Sequence, residues 1–460
     1  MTEKLPVSRL LAEALASTRY ADLPDEIVDH ARRAVLDWAG SALAGAFEPA
    51  AAMARAFVAD LGTSSQATIF PDRRGSAPAA ALANGVASHI LEYDDVHKGS
   101  TLHAAAPVIP AALAVAEREH ASGEAFLLAV VLGYEAALRV GEAVNPSHYR
   151  YFHPTGTAAT FGAAVAAGSL IGLDPPRMLD ALGSAGTTAA GLWEFNADGA
   201  MSKHLHPGKA AFNGILAADL AAQGFTGASR ILEGERGFFA AMSDGADPTR
   251  ITDGLGHHWK IAENCYKLHS CCGHTHTAID AALDLRPALG PDPVNAVRSI
   301  HIDHYGPGYE IVKEMNPRTP YQAKFSLAYV VAAALSEGAA GLPQFSEERF
   351  SPDGTIDHDL ARLLAQTTIK VNDDLTAMYP GAWPARLVIE TTGGQTLRAG
   401  GDYPRGNPEA PASTETLAAK ARSLIAPHYG AGQADRIIAQ IAQLDRLRDM
   451  TLFDWTGPAK

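Results

Sequence analysis

Residues 23–45 read LPDEIVDHARRAVLDWAGSALAG. Ile27, Ala31, Val35 and Trp38 fall near one face at helical spacing, and Pro24 and Asp25 ahead of them are suited to open a helix. The same texture runs from Leu5 to about Gly237, where nearly every segment is rich in Ala, Leu and Val at helical spacing. Leucine spacing in MTEKLPVSRLLAEAL (1–15) predicts a first helix, and further helices are expected at about 76–91, 105–120, 124–144, 156–171, 176–192, 208–223 and 227–234. NPSHYRYFHPTG, LDPPR and KHLHPGK punctuate them. No strand-like alternation appears in this half, so it reads as a mainly helical domain.

The pattern changes after Cys272. VRSIHIDHY (297–305) alternates as a strand does, and ARLVIETTGGQTLRAGG (385–401) is two β-rich runs around Gly393-Gly394, a hairpin signal. AKFSLAYVVAAALSEG and HDLARLLAQT between them read as helices. The tail, STETLAAKARSLIAPH and ADRIIAQIAQLDRL, returns to amphipathic helix with Ser413 as a cap. The expected fold is therefore mainly α: an all-helical domain (1–269), a smaller α+β lid domain inserted at 270–400, and C-terminal helices (401–460) returning to the helical domain. Clefts between domains are where small ligands usually bind.

Bulk properties narrow the function. A chain of 460 residues with 47% hydrophobic and 19% charged residues has material for two or three folded domains and is not a disordered polymer. Its net charge of -14 and the lack of a basic stripe argue against a nucleic-acid partner, which would demand cations along a phosphate backbone. Three cysteines make no disulfide framework, which fits a reducing, cytoplasmic compartment. The first residues lack a secretory signal pattern. The uncharged run at 156–173 is mostly Ala, Gly, Thr and Ser, too weakly apolar to favour a membrane, and reads as a closely packed buried helix. No Walker loop, GxGxxG unit or GxSxG elbow occurs, leaving nucleotide, dinucleotide and α/β-hydrolase chemistry without support.

Four stretches concentrate reactive side chains. In LEYDDVHKGSTLH (91–103), Asp94, Asp95, His97 and His103 suit either a metal site or a proton-transfer group in which a carboxylate tunes an imidazole; alternatively the two aspartates cap the preceding helix. YRYFHPTGTAATFGAA (149–164) sets His153 just ahead of a helix, where the dipole lowers an imidazole's pKa. In NADGAMSKHLHPGKAAFNG (196–214), Lys203, His204, His206 and Lys209 crowd together, and Pro207-Gly208 reads as the start of a helix whose N-terminus, with the two lysines, would hold an anion. ENCYKLHSCCGHTHTAIDAALDL (263–285) contains Lys267 and the zinc-type donors Cys271, Cys272, His274 and His276, whose spacing departs from familiar zinc sites.

Taken together, LEYDDVHKGSTLHAAAPVIPAALAVAE, FHPTGTAATFGAA, DGAMSKHLHPGKAAFNGILAADLAAQGFTGASRILEGERGFF, YKLHSCCGHTHTAIDA, AKFSLAYVVAAAL and YPRGNPEAP resemble the MmgE/PrpD family, which includes 2-methylcitrate dehydratase, cis-aconitate decarboxylase and iminodisuccinate epimerase. The resemblance implies a homodimer, no metal or organic cofactor, and a small polycarboxylate substrate. Carried over residue by residue, it implies Asp94 (with Asp95 as the alternative), His103, His153, Lys203 and Lys267 as catalytic residues. His204, Lys209 and Tyr266 join Lys203 and Lys267 as substrate contacts. After His103 the sequence reads HAAA in place of the family's HPSG or HPSA. The implied chemistry is that of a lyase, labilising a bond next to a carboxylate by dehydration or decarboxylation, with a citrate-like or methylcitrate-like acid favoured because dehydration needs only one base and one acid; epimerisation of an amino- or imino-dicarboxylate is the alternative. A Cys/His metal-binding protein is the alternative of another class. Orientation of the side chains at His301, His304, Tyr305 and Lys324 would help to select the substrate.

Overall fold

The computed structural model describes residues 6–351 and 354–457; residues 1–5, the head of the stretch predicted to open the first helix, lie outside it. The protein is mainly α, with 58% of its described residues helical. It divides into two compact units, one of Met1–Ile90, Asp94–Asn264 and Ser413–Lys460, the other of Leu91–Tyr93 and Cys265–Ala412.

The first unit is helical because its apolar residues repeat on helical faces. Asp25–Gly45 buries Ile27, Ala31, Val35 and Trp38 and packs on Thr414–Tyr429, the helix capped by Ser413, so the N- and C-terminal parts of the chain share one core. A buried ion pair of 2.6 Å between Asp37 and Lys420 fixes that seam. The helices Gly123–Val144 and Ala158–Ile171 meet where a Cβ on Gly162 would come within 2.4 Å of the Gly133 carbonyl, so glycine sets the approach of the two backbones. Ala77–His89 crosses Ser202–Ala222 in the same manner, Gly85 against Gly208. Among the described residues no single helix is long and apolar enough to cross a membrane.

Three local expectations are corrected here. Ser202–Ala222 begins six residues before Gly208 and carries Pro207 inside it, so Pro207-Gly208 does not form a helix N-terminus. The cost of an internal proline is limited because this first stretch is clamped against Ala77–His89. Residues 227–234 form turns, not a helix: Gly227 donates to Asp180 Oδ1, and Ser8 Oγ accepts from Leu232 and donates to Glu233, holding the backbone in place. Ala67–Ile69 and Arg73–Gly75 pair as a short antiparallel hairpin in a half that showed no alternation, each strand being too brief to display a period.

The second unit is built on a four-stranded sheet in the order Thr367–Val371, Val297–His304, Ala385–Thr391, Thr396–Gly401. The first pair is parallel and the others antiparallel, with the last two joined by the Gly-Gly turn. Ile300, Ile302, Leu387 and Ile389 face a core that includes Ile279 and Leu327–Leu335. The AKFSLAYVV run is two helices, Pro320–Lys324 and Leu327–Glu337, because Ser326 turns to cap the second by accepting from Tyr329 N–H.

Candidate active site

The first unit gathers six charged or imidazole side chains, His89, Asp94, His103, His153, Lys203 and His206, at the end of Ala77–His89, in the loop that follows, in the turn before Ala158–Ile171 and on Ser202–Ala222. His89 ends its helix with its side chain fully buried, and Asp94 Oδ2 lies 2.7 Å from its Nδ1. The same oxygen is 3.5 Å from Nδ1 of His103, whose side chain is 13% exposed where that of Asp94 is sealed. The rings of His89, His103 and His153 have centroids 4.8, 5.6 and 6.2 Å apart, and one ligand-type atom from each lies within 4.8 Å of the others, a set that has the donors to hold a metal ion.

Three local devices shape this cluster. Asp95, fully buried, accepts from Tyr134 Oη at 2.6 Å and from Ala105 N–H at 3.2 Å, so it caps the Ala105–Arg118 helix and anchors the loop. Burial pushes its carboxyl up to about 7. The Asp95 carbonyl in turn accepts from His103 Nδ1 at 2.5 Å, and Thr155 Oγ1 accepts from His103 N–H at 3.1 Å, so His103 is held in place without the proline of the family form. Two non-glycine residues with positive φ, Glu92 (56°) and Thr101 (49°), bracket this loop, a placement of backbone strain common at functional sites.

His153 follows from the geometry of Gly156. A Cβ there would stand 2.7 Å from the Ala190 carbonyl and 3.1 Å from the His206 Cβ, so the glycine lets His206 reach His153, Nδ1 to Nδ1 at 3.0 Å. Burial drives the His153 imidazole well below its ordinary value, helped by His206, His89, Lys203 and His103; burial and then Lys209 push His206 down to about 4. Both are neutral near pH 7. Trp193 and Phe195 wall the pair at ring distances of 5.0 and 5.8 Å from His153, and the buried Lys203 ammonium sits 6.0 Å from the Phe195 ring.

Other predicted residues fall elsewhere. Lys209 donates to the carbonyls of Gly156, Thr188 and Ala190 at 2.9, 3.4 and 2.8 Å, so its ammonium is occupied by main chain and serves as a staple. His204 is buried one residue beyond Lys203. His97 does not join Asp94 and His103: its Nε2 faces Glu263 at 3.2 Å and Glu142 at 3.6 Å, in a network closed by Lys260.

In the second unit Lys267 Nζ donates to the Glu92 carbonyl at 3.2 Å and stands 3.4 Å from its carboxylate. Tyr266 is buried, its N–H donating to Gly406, a glycine with φ +98° whose Cβ would collide with the Tyr266 carbonyl. Lys324 donates to the Leu91 carbonyl at 2.9 Å. The zinc-type grouping is not formed: Cys271 contacts Thr275, His274 bonds Tyr305 Oη, and His276 bonds the Cys271 carbonyl, so their donors point apart. Burial pushes the Cys271 thiol up to about 12. His304 bonds the His274 carbonyl inside the core, while His301 lies on the sheet surface beside Asp303. His89 and Trp193 were not singled out from sequence, and His206 only as one of the crowded residues of the 203–209 stretch; His89 gives no local signal beyond lying five positions before Asp94.

Fold and cluster define a mainly helical protein that brings together a carboxylate, four imidazoles and a buried ammonium, with burial keeping two of the rings, His153 and His206, neutral, a set suited to moving protons. The MmgE/PrpD N-terminal domain model matches residues 9–251 and the MmgE/PrpD C-terminal domain model matches residues 269–446. The chain belongs to the MmgE/PrpD family. It is 27% identical to the cis-aconitate decarboxylase-like protein oryM of Aspergillus oryzae over 98% of both chains. It is 28% identical to cis-aconitate decarboxylase of Aspergillus terreus, over 94% of this chain and 91% of that one. The human cis-aconitate decarboxylase is 26% identical over 97% and 93%.

Proposed function

We propose that the protein is a cofactor-independent lyase acting on a small di- or tricarboxylic acid, with decarboxylation of a cis-aconitate-like acid as its reaction. The observation that carries this reading is the cluster of Asp94, His89, His103 and His153 with the buried Lys203 nearby, a set of proton carriers beside a cation. The relatives named for cis-aconitate decarboxylation favour that branch over dehydration of a methylcitrate-like acid or epimerisation of an imino-dicarboxylate.

The physical problem is charge. When the bond to CO₂ breaks, its electron pair stays on carbon and spreads toward the neighbouring carboxylate; a nearby ammonium such as Lys203 opposes that charge, and a low-dielectric site magnifies the effect to several kcal/mol. An imidazole then delivers a proton to the carbon, and each such transfer is typically worth about 10²–10⁴-fold. Dehydration and epimerisation need the same parts in a different order. The family resemblance further supports a homodimer.

The test is a panel of cis-aconitate, citrate, 2-methylcitrate and iminodisuccinate stereoisomers, each incubated with enzyme and followed by proton NMR. CO₂ loss from cis-aconitate supports the reading. An alkene formed from 2-methylcitrate, or a stereoisomer formed from iminodisuccinate, replaces decarboxylation by the corresponding branch.

A further inference from the structure

We propose that His89, through its Nε2, is an acid–base residue of this site, and that it is the imidazole served by Asp94. The inference rests on the function proposed above and adds a residue that neither the sequence motifs nor the relatives assign.

Hydrogen-bond bookkeeping carries the argument. A carbonyl oxygen only accepts, so the 2.5 Å contact between His103 Nδ1 and the Asp95 carbonyl places the single Nδ1 proton of His103 on that carbonyl. At 3.5 Å, Asp94 is then no hydrogen-bond partner of His103. His89 Nδ1, at 2.7 Å, is the donor that the Asp94 carboxylate accepts. In neutral His89 this puts the proton on Nδ1 and leaves Nε2 with a lone pair.

That Nε2 is fully buried and has no hydrogen-bond partner among the described residues. A sealed acceptor without a donor is unfavourable, and a proton arriving there is stabilised through the ring by Asp94, the arrangement in which a buried carboxylate holds an imidazole in one tautomer and supports its charged form. The His89 ring lies 24° from the plane of the His153 ring at 5.6 Å, and 4.8 Å from that of His103, so it belongs to the same cluster. The step balances simply. After CO₂ leaves, the electron pair on carbon takes the proton from Nε2 of the His89 imidazolium, forming C–H and breaking N–H; water later returns the proton. Run in the other sense, the neutral Nε2 takes a proton from carbon.

His89→Asn discriminates this from a structural role, because the asparagine amide still donates to Asp94 while Nε2 is removed. We expect turnover, and deuterium uptake into product in D₂O, to fall at least about a hundredfold with thermal unfolding unchanged. Turnover within about threefold of wild type overturns the proposal. Long-range ¹⁵N–¹H NMR of the histidine rings in the wild type supplies a readout independent of substrate and of how the variant folds. A His89 ring protonated at Nδ1, with the Nδ1–H signal moving in Asp94→Asn, is the expected result whether or not Nε2 also carries a proton; a ring protonated at Nε2 and bare at Nδ1 overturns it. If the wild type turns over nothing in the panel, the functional reading fails while the tautomer still decides the Asp94–His89 pairing.

Discussion

Adjacent in sequence, Asp94 and Asp95 turn their carboxylates to different partners: Asp94 takes the His89 imidazole at 2.7 Å, and Asp95 takes the Tyr134 hydroxyl at 2.6 Å and the Ala105 amide at 3.2 Å. One is coupled to an imidazole of the cluster and the other to the fold. Asp94→Asn is therefore expected to lower kcat at least about a hundredfold with little change in Tm, whereas Asp95→Asn costs about 1–3 kcal/mol of stability through its weakened helix cap. Thermal unfolding and steady-state kinetics on both variants check this; equal kinetic losses without any loss of stability in Asp95→Asn would contradict it.

The two lysines of one helix separate in the same way. Lys209 serves three carbonyls, and burial lowers its ammonium to about 8. Lys209→Met leaves those carbonyls without a charged donor and should destabilise the protein by roughly 2–4 kcal/mol in denaturant titration. Lys203→Met should instead reduce kcat/KM about a hundredfold or more at nearly unchanged stability.

His148 makes a pH prediction. It is buried, bonded to the Met242 carbonyl at 2.8 Å and to Thr157 Oγ1 at 2.7 Å, and burial lowers it from 6.5 to about 4. Below pH 6.5 the unfolded chain takes a proton that folded His148 refuses. The stability it contributes is thus present above pH 6.5 and lost as pH falls toward 4, by about 3 kcal/mol in all. Asp95, raised to about 7, acts in the opposite sense over that range, so the measurement is the difference between wild type and His148→Gln. The difference in unfolding free energy should narrow or reverse as pH drops from 7 to 4; a constant difference would refute it.

Metal chemistry is tested by removal and addition. Dialysis against chelator should leave turnover unchanged. Added Zn²⁺ should inhibit, reversibly with chelator and competitively with substrate, because the ligand-type atoms of His89, His103 and His153 lie within 4.8 Å of one another and imidazole is a preferred zinc ligand. Activity lost on chelation and restored by metal would contradict the cofactor-free account.

The elements with strong local patterning were legible from sequence. The 23–45 face, the 297–304 strand and the Gly393-Gly394 hairpin each carry a period or a turn that only one structure satisfies. The start of Ser202–Ala222 was not, since packing against Ala77–His89 overrides the usual meaning of Pro-Gly. Residues 227–234 look helical in composition, yet side chains from Ser8 and Asp180, distant in sequence, take over their backbone amides. The site shows the same division. Asp94, His103 and His153 stand in dense motifs, but His89 is found only through its distance to Asp94, and the fate of the Lys209 ammonium depends on carbonyls as many as 53 positions away.

The most direct test follows cis-aconitate in D₂O with chelator-treated wild-type enzyme and with Asp94→Asn, His153→Gln and Lys203→Met, by proton NMR. The account predicts that the wild type releases CO₂ and forms a product carrying deuterium at the carbon that gains a proton, and that each variant, folded as wild type, loses this reaction by about a hundredfold or more. Unchanged rates in all three variants would contradict it.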